Sequence, residues 1–214
     1  ISVISVENLR INNCVFRNTS GHPPSAGIDF EPNRAENKLS NIVISNCISE
    51  NNEGAGFVVS VRKLDSSSGK ISVLFYKCYV THCKWGLLVG TDSEQGPRGI
   101  VEFRDCVVSN TQESGMWVVA SAYTFDVNFI NCKTRNAPIV FQISRQDDNK
   151  PGTIRLDNCY VYDSLNRPAL TLKPYKGSQG KVNIEGILYT SSNKLTLGLE
   201  NANSSLVVKQ IAPK

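Results

Sequence analysis

Short stretches of alternating apolar and polar residues recur at regular intervals along the chain. Segment 41–45, Asn-Ile-Val-Ile-Ser, alternates with a period of two, which predicts a strand with Ile42 and Ile44 facing a core. A comparable stretch precedes each of six cysteines, which follow one another at intervals of 26 to 33 residues: Cys14, Cys47, Cys78, Cys106, Cys132 and Cys159. Self-similarity at this period predicts a solenoid, in which each unit buries its apolar face only against its neighbours.

A tight corner is predicted directly before each cysteine. The residues there are mostly types that tolerate a positive φ: Asn13, Asn46, Lys77, Asp105, Asn131, Asn158 and, in a seventh copy with Ile187 in place of cysteine, Gly186. The second residue after the cysteine is predicted to face the core: Phe16, Ser49, Val80, Val108, Thr134, Val161 and Tyr189. A polar column follows four positions after the cysteine: Asn18, Asn51, His82, Asn110, Asn136, Asp163 and Ser191.

A third strand closes each repeat, and its alternation predicts two columns of residues that face away from the core. The first column contains Asp29, Val58, Leu88, Trp117, Val140 and Thr171; the second contains Glu31, Ser60, Gly90, Val119, Gln142 and Lys173. Three short strands, one tight corner and two longer turns per repeat predict an all-β, right-handed, single-stranded parallel β-helix of about seven coils. We expect residues 1–214 to form one such domain of a longer chain that lacks its N-terminal portion here, because the chain begins with Ile1.

The repeat also predicts the state of the cysteines. Equivalent positions on adjacent parallel strands lie ~4.8 Å apart with side chains pointing the same way, which is a poor geometry for a disulfide. We therefore expect a buried column of reduced thiols, and the isoleucine at position 187 supports an apolar role for this position. Cys83 lies outside the column.

Composition excludes two classes of partner. The net charge of +4, with no lysine or arginine cluster and no RNA-binding aromatic motif, gives no indication of a nucleic-acid partner. The apolar runs are far too short to span a bilayer as helices.

Candidate chemistry on the third-strand face begins with Asp29 and Glu31. Two residues apart on one strand, they project from the same face with Cα atoms roughly 6.5–7 Å apart, which suits a general acid and base or a Ca²⁺ site. Arg62 is placed to contact a uronate carboxylate, with Lys63 beside it, and His22 is the histidine expected to reach this place. Alternatively, Asp29 and Glu31 pair with Arg62, Lys63 or Arg34 on a solvated surface.

The apolar stripe formed by Val58, Leu88, Trp117 and Val140 is unusual for an outward face. Trp117 can act as a stacking platform for sugar rings, because an aromatic face suits the apolar side of a pyranose. The alternative is that loops, a missing N-terminal segment or a neighbouring subunit, for example in a homotrimer, cover the stripe.

The three-strand coil with its asparagine corner resembles the right-handed parallel β-helix superfamily, the pectate-lyase-like fold. That fold hosts polysaccharide lyases, hydrolases, epimerases, phage tailspikes and non-catalytic surface proteins. The resemblance implies that a substrate lies across the third-strand face, between the long loops beside it.

Segment 26–33, Ala-Gly-Ile-Asp-Phe-Glu-Pro-Asn, followed by segment 51–57, Asn-Asn-Glu-Gly-Ala-Gly-Phe, is similar to a motif pair of alginate C5-epimerases. The family pair is Tyr-Gly-Phe-Asp-Pro-His and Asn-Gly-x-Asp-Gly-Phe. The resemblance implies that Asp29 or Glu31 corresponds to the first catalytic aspartate. Ala26, Asn33 and Ala55 stand where the family has its tyrosine, histidine and second aspartate, so the architecture transfers and epimerase activity does not follow.

The leading hypothesis from the sequence is a secreted or cell-surface β-helix that binds a polysaccharide on the third-strand face. If it is an enzyme, it is a polysaccharide lyase, glycoside hydrolase or uronate epimerase, with Asp29 and Glu31 as acid and base, assisted by His22. Arg62, Lys63 and Trp117 are then the substrate-binding residues. The rival hypothesis is a non-catalytic glycan-binding or structural module, such as a tailspike-like adhesin.

Overall fold

The fold is described from a computed structural model of the chain. It covers residues 1–91, 96–119, 125–143, 152–165, 167–174, 182–192, 194, 196–198 and 203–212.

The secondary structure of the described residues consists of β-strands of two to ten residues. The first twelve are β1 Ser2–Val3, β2 Val6–Glu7, β3 Arg10–Asn12, β4 Val15–Arg17, β5 Ile28–Phe30, β6 Leu39–Ser40, β7 Ile42–Ser45, β8 Ile48–Glu50, β9 Ala55–Ser60, β10 Ile71–Tyr76, β11 Tyr79–Thr81 and β12 Trp85–Gly90. The others are β13 Gly99–Arg104, β14 Val107–Ser109, β15 Ser114–Val119, β16 Phe125–Ile130, β17 Lys133–Arg135, β18 Ile139–Ile143, β19 Thr153–Tyr162, β20 Leu170–Pro174, β21 Asn183–Thr190, β22 Thr196–Leu197 and β23 Asn203–Gln210.

Each strand pairs in parallel with its counterpart one repeat away, so the strands stack into long sheets. One sheet has the order β1-β5-β9-β12-β15-β18-β20-β22. A second contains β3-β7-β10-β13-β16-β19, and β19 continues around the corner to join the strands β17-β14-β11-β8-β4. This arrangement confirms an all-β parallel β-solenoid, here of about six turns. We number the coils by their cysteine, so that coil one contains Cys14 and ends in β5, and coil six contains Cys159 and ends in β20.

The predicted corners are confirmed. All seven residues predicted for the tight corner have a positive φ, from 51° to 57° for the six that are not glycine and 116° at Gly186. In the polar column four positions after the cysteine, Asn18, Asn51, His82, Asn110 and Asn136 also have a positive φ. Corner side chains bond along the axis: Asn158 Nδ2 donates to Asn131 Oδ1 at 2.9 Å, and Asn131 Nδ2 donates to Asp105 Oδ1 at 3.2 Å.

The seventh copy of the repeat does not align as the sequence suggested. The pairing partner of Cys159 is Leu188, not Ile187, because the register shifts between Leu156 and Cys159. The corner at Gly186 is one residue shorter, and glycine is required there because a Cβ would meet the backbone oxygen of Leu156. Thr190, which is fully buried, therefore takes the inward position expected for Tyr189.

The core is a stack of like side chains. Phe75, Phe103 and Phe129 lie nearly parallel, with ring centroids 4.8 and 5.2 Å apart. Beside them the thiols of Cys47, Cys78, Cys106, Cys132 and Cys159 are buried, as the repeat predicts, and every cysteine is free. Cys14, in coil one, is only half-buried.

The thiols donate hydrogen bonds to the preceding coil. Cys132 Sγ donates to the carbonyl of Phe103 at 3.3 Å, and Cys159 Sγ to that of Phe129 at 3.2 Å. Burial raises the pKa of the Cys132 thiol well above its usual value, so this thiol is uncharged and unreactive at neutral pH.

No helix among the described residues is long and apolar enough to cross a membrane.

Glycines mark the places where one coil turns closely over the next. A Cβ on Gly86 would meet the carbonyl oxygen of Gly115 and the side chain of Val108, whereas a Cβ on Gly69 would meet nothing within 4 Å. Crowding against fixed backbone forces the coils apart and costs stability.

We expect Gly86→Ala to lower the free energy of unfolding by about 1–3 kcal/mol. Urea denaturation followed by circular dichroism measures this. The matched control, Gly69→Ala, should stay within about 0.5 kcal/mol of the parent. Equal stability of both variants would contradict close stacking at this place.

Candidate functional site

The outward face of the third strand carries the residues that the sequence singled out. Asp29, Val58, Leu88, Trp117, Val140 and Thr171 are in register from one strand to the next, as predicted. Their chain neighbours Ile28, Phe57, Leu87 and Met116 are fully buried in the core. The candidate residues lie in two separate sites. The first site is in coils one and two, and the second is in coils three to six.

Asp29 forms the centre of the first site and is buried, with only 3% of its surface exposed. Ser2 Oγ donates to Asp29 Oδ2 at 3.5 Å, and Oδ1 has no partner among the described residues. Burial, followed by the negative charge of Glu31, raises the pKa of Asp29 from 3.8 to about 6.

In the described part of the chain, no ion pair joins a basic residue to Asp29 or Glu31. His22 and Lys63 are exposed, and neither forms an ion pair with Asp29 or Glu31 among the described residues. The guanidinium of Arg62 packs over Gly90, where a Cβ would lie 3.2 Å from Arg62 Nε. Gly90 ends β12 in coil three, whereas Glu31 follows β5 in coil one. These two strands lie two strand spacings apart, or ~10 Å. Arg34 pairs with Glu36 at 3.8 Å instead.

A calcium site at Asp29 and Glu31 receives no further acidic ligand. In the described part of the chain, no group of three or more histidine, cysteine, aspartate or glutamate side chains is arranged to hold a metal ion. Two adjacent carboxylates are few for Ca²⁺, which takes roughly six to eight oxygen ligands.

The second site is built around two tryptophans. Trp117 and Trp85 lie with ring centroids 5.0 Å apart and planes tilted by 44°. Trp85 Nε1 donates to Glu113 Oε2 at 2.7 Å, and Lys84 Nζ lies 3.4 Å from Glu113 Oε1 and 4.5 Å from the centre of the Trp85 ring. This network fixes the orientation of Trp85.

Trp85 was not among the residues that the sequence singled out. Strict alternation would place it on the same side as Leu87, which is fully buried in the core. In the structure Trp85 packs instead against the outward cluster of Ala26, Ala55 and Val58. The alternation is interrupted at Gly86, and the glycine itself is the one signal for that change.

A cleft of about 370 Å³ lies beside the tryptophans. Its walls are formed by residues from coils three to six: Trp85, Glu113, Ser114, Trp117, Val140, Gln142 and Lys173. Ser114 Oγ and Trp117 Nε1 are buried and have no partner among the described residues. The cleft therefore combines indole rings with an amide, an ammonium group, a carboxylate and two unpartnered polar atoms.

The apolar stripe is covered to different extents along its length. Val58 is only 6% exposed, because Ala26, Ala55, Trp85 and Leu88 pack around it. Trp117 and Val140 are half-buried and line the open cleft. The chain itself covers the beginning of the stripe and leaves its middle accessible.

Comparisons with protein-family models, with curated proteins and with solved structures found no match to this chain. The structure therefore shows the parallel β-solenoid fold, and the resemblances to the pectate-lyase-like superfamily and to alginate epimerases stay predictions.

The raised pKa of Asp29 makes stability depend on pH. Because the folded-state pKa, about 6, exceeds the unfolded value near 3.8, the folded state binds the extra proton between these values, and ionised Asp29 disfavours folding above pH 6. The shift corresponds to about 3 kcal/mol.

We expect Asp29→Asn to be more stable than the parent by up to about 3 kcal/mol near pH 7.5, with the difference vanishing near pH 4. Urea denaturation of both proteins at the two pH values measures this. Glu36→Gln, at an exposed acid, should show no such dependence. A parent protein that gains no stability relative to Asp29→Asn on acidification would refute the buried-acid interpretation.

Proposed function

We propose that this protein is a carbohydrate-binding parallel β-helix that holds a polysaccharide across coils three to six of its third-strand face. The observation that carries the proposal is the tryptophan pair beside a polar cleft. Aromatic faces pack on the apolar side of a pyranose, and polar groups at the rim hydrogen-bond its hydroxyls.

The polar groups of the cleft suit this ligand class. The side chains of Gln142 and Lys173 line the cleft and offer an amide and an ammonium group to the hydroxyl groups of a sugar. Glu113 forms an ion pair with Lys84, whereas Lys173 has no ion pair among the residues that the structure describes. Neutral and anionic glycans both fit this arrangement.

The pectate-lyase-like resemblance supports the same face, because it implies a substrate across the third strands. A secreted or cell-surface location is part of this proposal, because the protein would meet a polysaccharide ligand outside the cytoplasm.

Trp117→Ala should weaken glycan binding roughly tenfold, because it removes the stacking surface that the cleft offers. The chain has two tryptophans, Trp85 and Trp117, and both line the cleft, so intrinsic tryptophan fluorescence reports on it directly. A glycan array identifies the ligand, and fluorescence titration then gives the affinity.

Two control variants sharpen this experiment. Trp117→Phe, which keeps a ring, should retain most of the binding, and Leu165→Ala, at an exposed apolar residue, should bind like the parent. Unchanged affinity of Trp117→Ala for every glycan that binds would refute the proposal.

Catalysis by Asp29 and Glu31 is a second candidate function. The observation that favours it is the pKa of Asp29, about 6, beside a second carboxyl group, since a proton held near neutral pH is what a general acid requires. In this candidate Asp29 is the acid and Glu31 the base, His22 assists them, and Arg62 and Lys63 contact the substrate.

Replacing Asp29 with Asn and Glu31 with Gln together should abolish turnover on a polysaccharide panel and leave the fluorescence titration unchanged. Glu36→Gln serves as the control for loss of an exposed acid. Turnover at the parental rate in the double variant would eliminate this assignment.

The burial of Asp29 favours the non-catalytic alternative, a tailspike-like or adhesin-like module. A homotrimer in solution with shielded tryptophans would select that alternative, and light scattering combined with fluorescence quenching distinguishes it from a monomer with an open cleft.

A further inference from the structure

A second cleft lies on a different face of the solenoid, beside the asparagine corner of coils four to six. It has a volume of about 450 Å³, and its walls are formed by Asp105, Val107, Asn131, Lys133, Asn158 and Tyr160, together with Tyr162. These residues belong to the corner and to the outward side of the strand that follows it. None of them contributes to the tryptophan cleft.

Stacked tyrosines form one wall of this cleft. Tyr160 and Tyr189 are paired in register on adjacent coils, and their rings lie 4.7 Å apart at an angle of only 10°. The ring faces therefore point along the solenoid axis. Tyr162 lies beside Tyr160 with its ring nearly parallel, at 7° and 6.4 Å. Tyr189 supports one face of Tyr160, and the other face looks toward coil five.

The position next to Tyr160 in coil five is occupied by Lys133. The ladder of rings thus stops at Tyr160, and the cleft lies where the next ring would stand. Lys133 is exposed and has no ion pair among the described residues, so its flexible side chain can leave that space. A ring-shaped ligand bound in that space would extend the stack of Tyr189 and Tyr160 by one strand spacing.

The rim of the cleft carries hydrogen-bonding groups rather than apolar ones. Asn158 donates to Asn131, and Asn131 donates to Asp105, which leaves the second N–H of each amide and one oxygen of the Asp105 carboxylate for a ligand. An apolar side chain would leave these groups unmatched, whereas sugar hydroxyls both donate and accept. Asp105 and Lys133 carry opposite charges, so the cleft has no net charge to attract an acidic sugar.

We propose that this cleft is a carbohydrate-binding site, distinct from the tryptophan cleft, in which a neutral pyranose ring stacks on the face of Tyr160 that looks toward coil five. Lys133 and the corner side chains of Asp105, Asn131 and Asn158 bind its hydroxyl groups. The proposal rests on the geometry of this cleft and does not require that the tryptophan cleft bind a glycan.

The test uses the full chain with ¹³C-labelled tyrosine, titrated with cellohexaose, maltohexaose and mannohexaose, and separately with hexagalacturonate. Ring signals of Tyr160 and Tyr162 should shift with at least one neutral hexasaccharide at about 10 mM, where even a millimolar complex is largely formed. Tyr79, which lies on the same outward column in coil three, should not respond.

Variants separate stacking from other effects. Tyr160→Ala should weaken the neutral sugar roughly tenfold, Tyr160→Phe should retain binding, and Tyr79→Ala should bind like the parent. Thermal unfolding of each variant verifies that the fold persists. The proposal is overturned if no neutral hexasaccharide shifts Tyr160, if hexagalacturonate alone does so, or if Tyr160→Ala and Tyr160→Phe lose affinity equally.

Discussion

Parallel stacking of the coils in register is the constraint on which the rest of the structure depends. Strand positions in the regular coils pair with their counterparts one coil away, so a side chain meets the equivalent side chain of the next coil. Like residues therefore accumulate in columns: the phenylalanine stack, the thiols and the corner asparagines. The same rule arranges the outward residues, which is why both clefts extend over several coils.

Features that depend on local conformation could be predicted from the sequence. The strands and corners follow from alternation with a period of two and from residues such as Asn46 and Asn131, which adopt a positive φ at little cost. The outward column from Asp29 to Thr171 followed from the same alternation. The seventh copy was misaligned because Gly186 closes its corner with one residue fewer, and the residue spacing alone does not reveal that.

Features that depend on neighbouring coils could not be predicted in this way. Asp29 was expected to face an open groove, but it is buried. Arg62 was expected beside the acids, yet it packs over Gly90, where the absent side chain of another coil leaves room. Trp85 was missed because the alternation is interrupted at Gly86. In each case the position of the side chain depends on residues of another coil or on a break in the regular alternation of the strand.

The thiol column has a consequence for how the molecule opens. Five successive coils each bury one sulfhydryl, which donates a hydrogen bond to a backbone carbonyl of the preceding coil and forms no disulfide. No cross-link holds these windings together, so each can separate from its neighbour at its own free-energy cost. An alkylating reagent would reach a given sulfur when its winding opens. The rate at which each cysteine is alkylated would therefore report how often its coil opens locally.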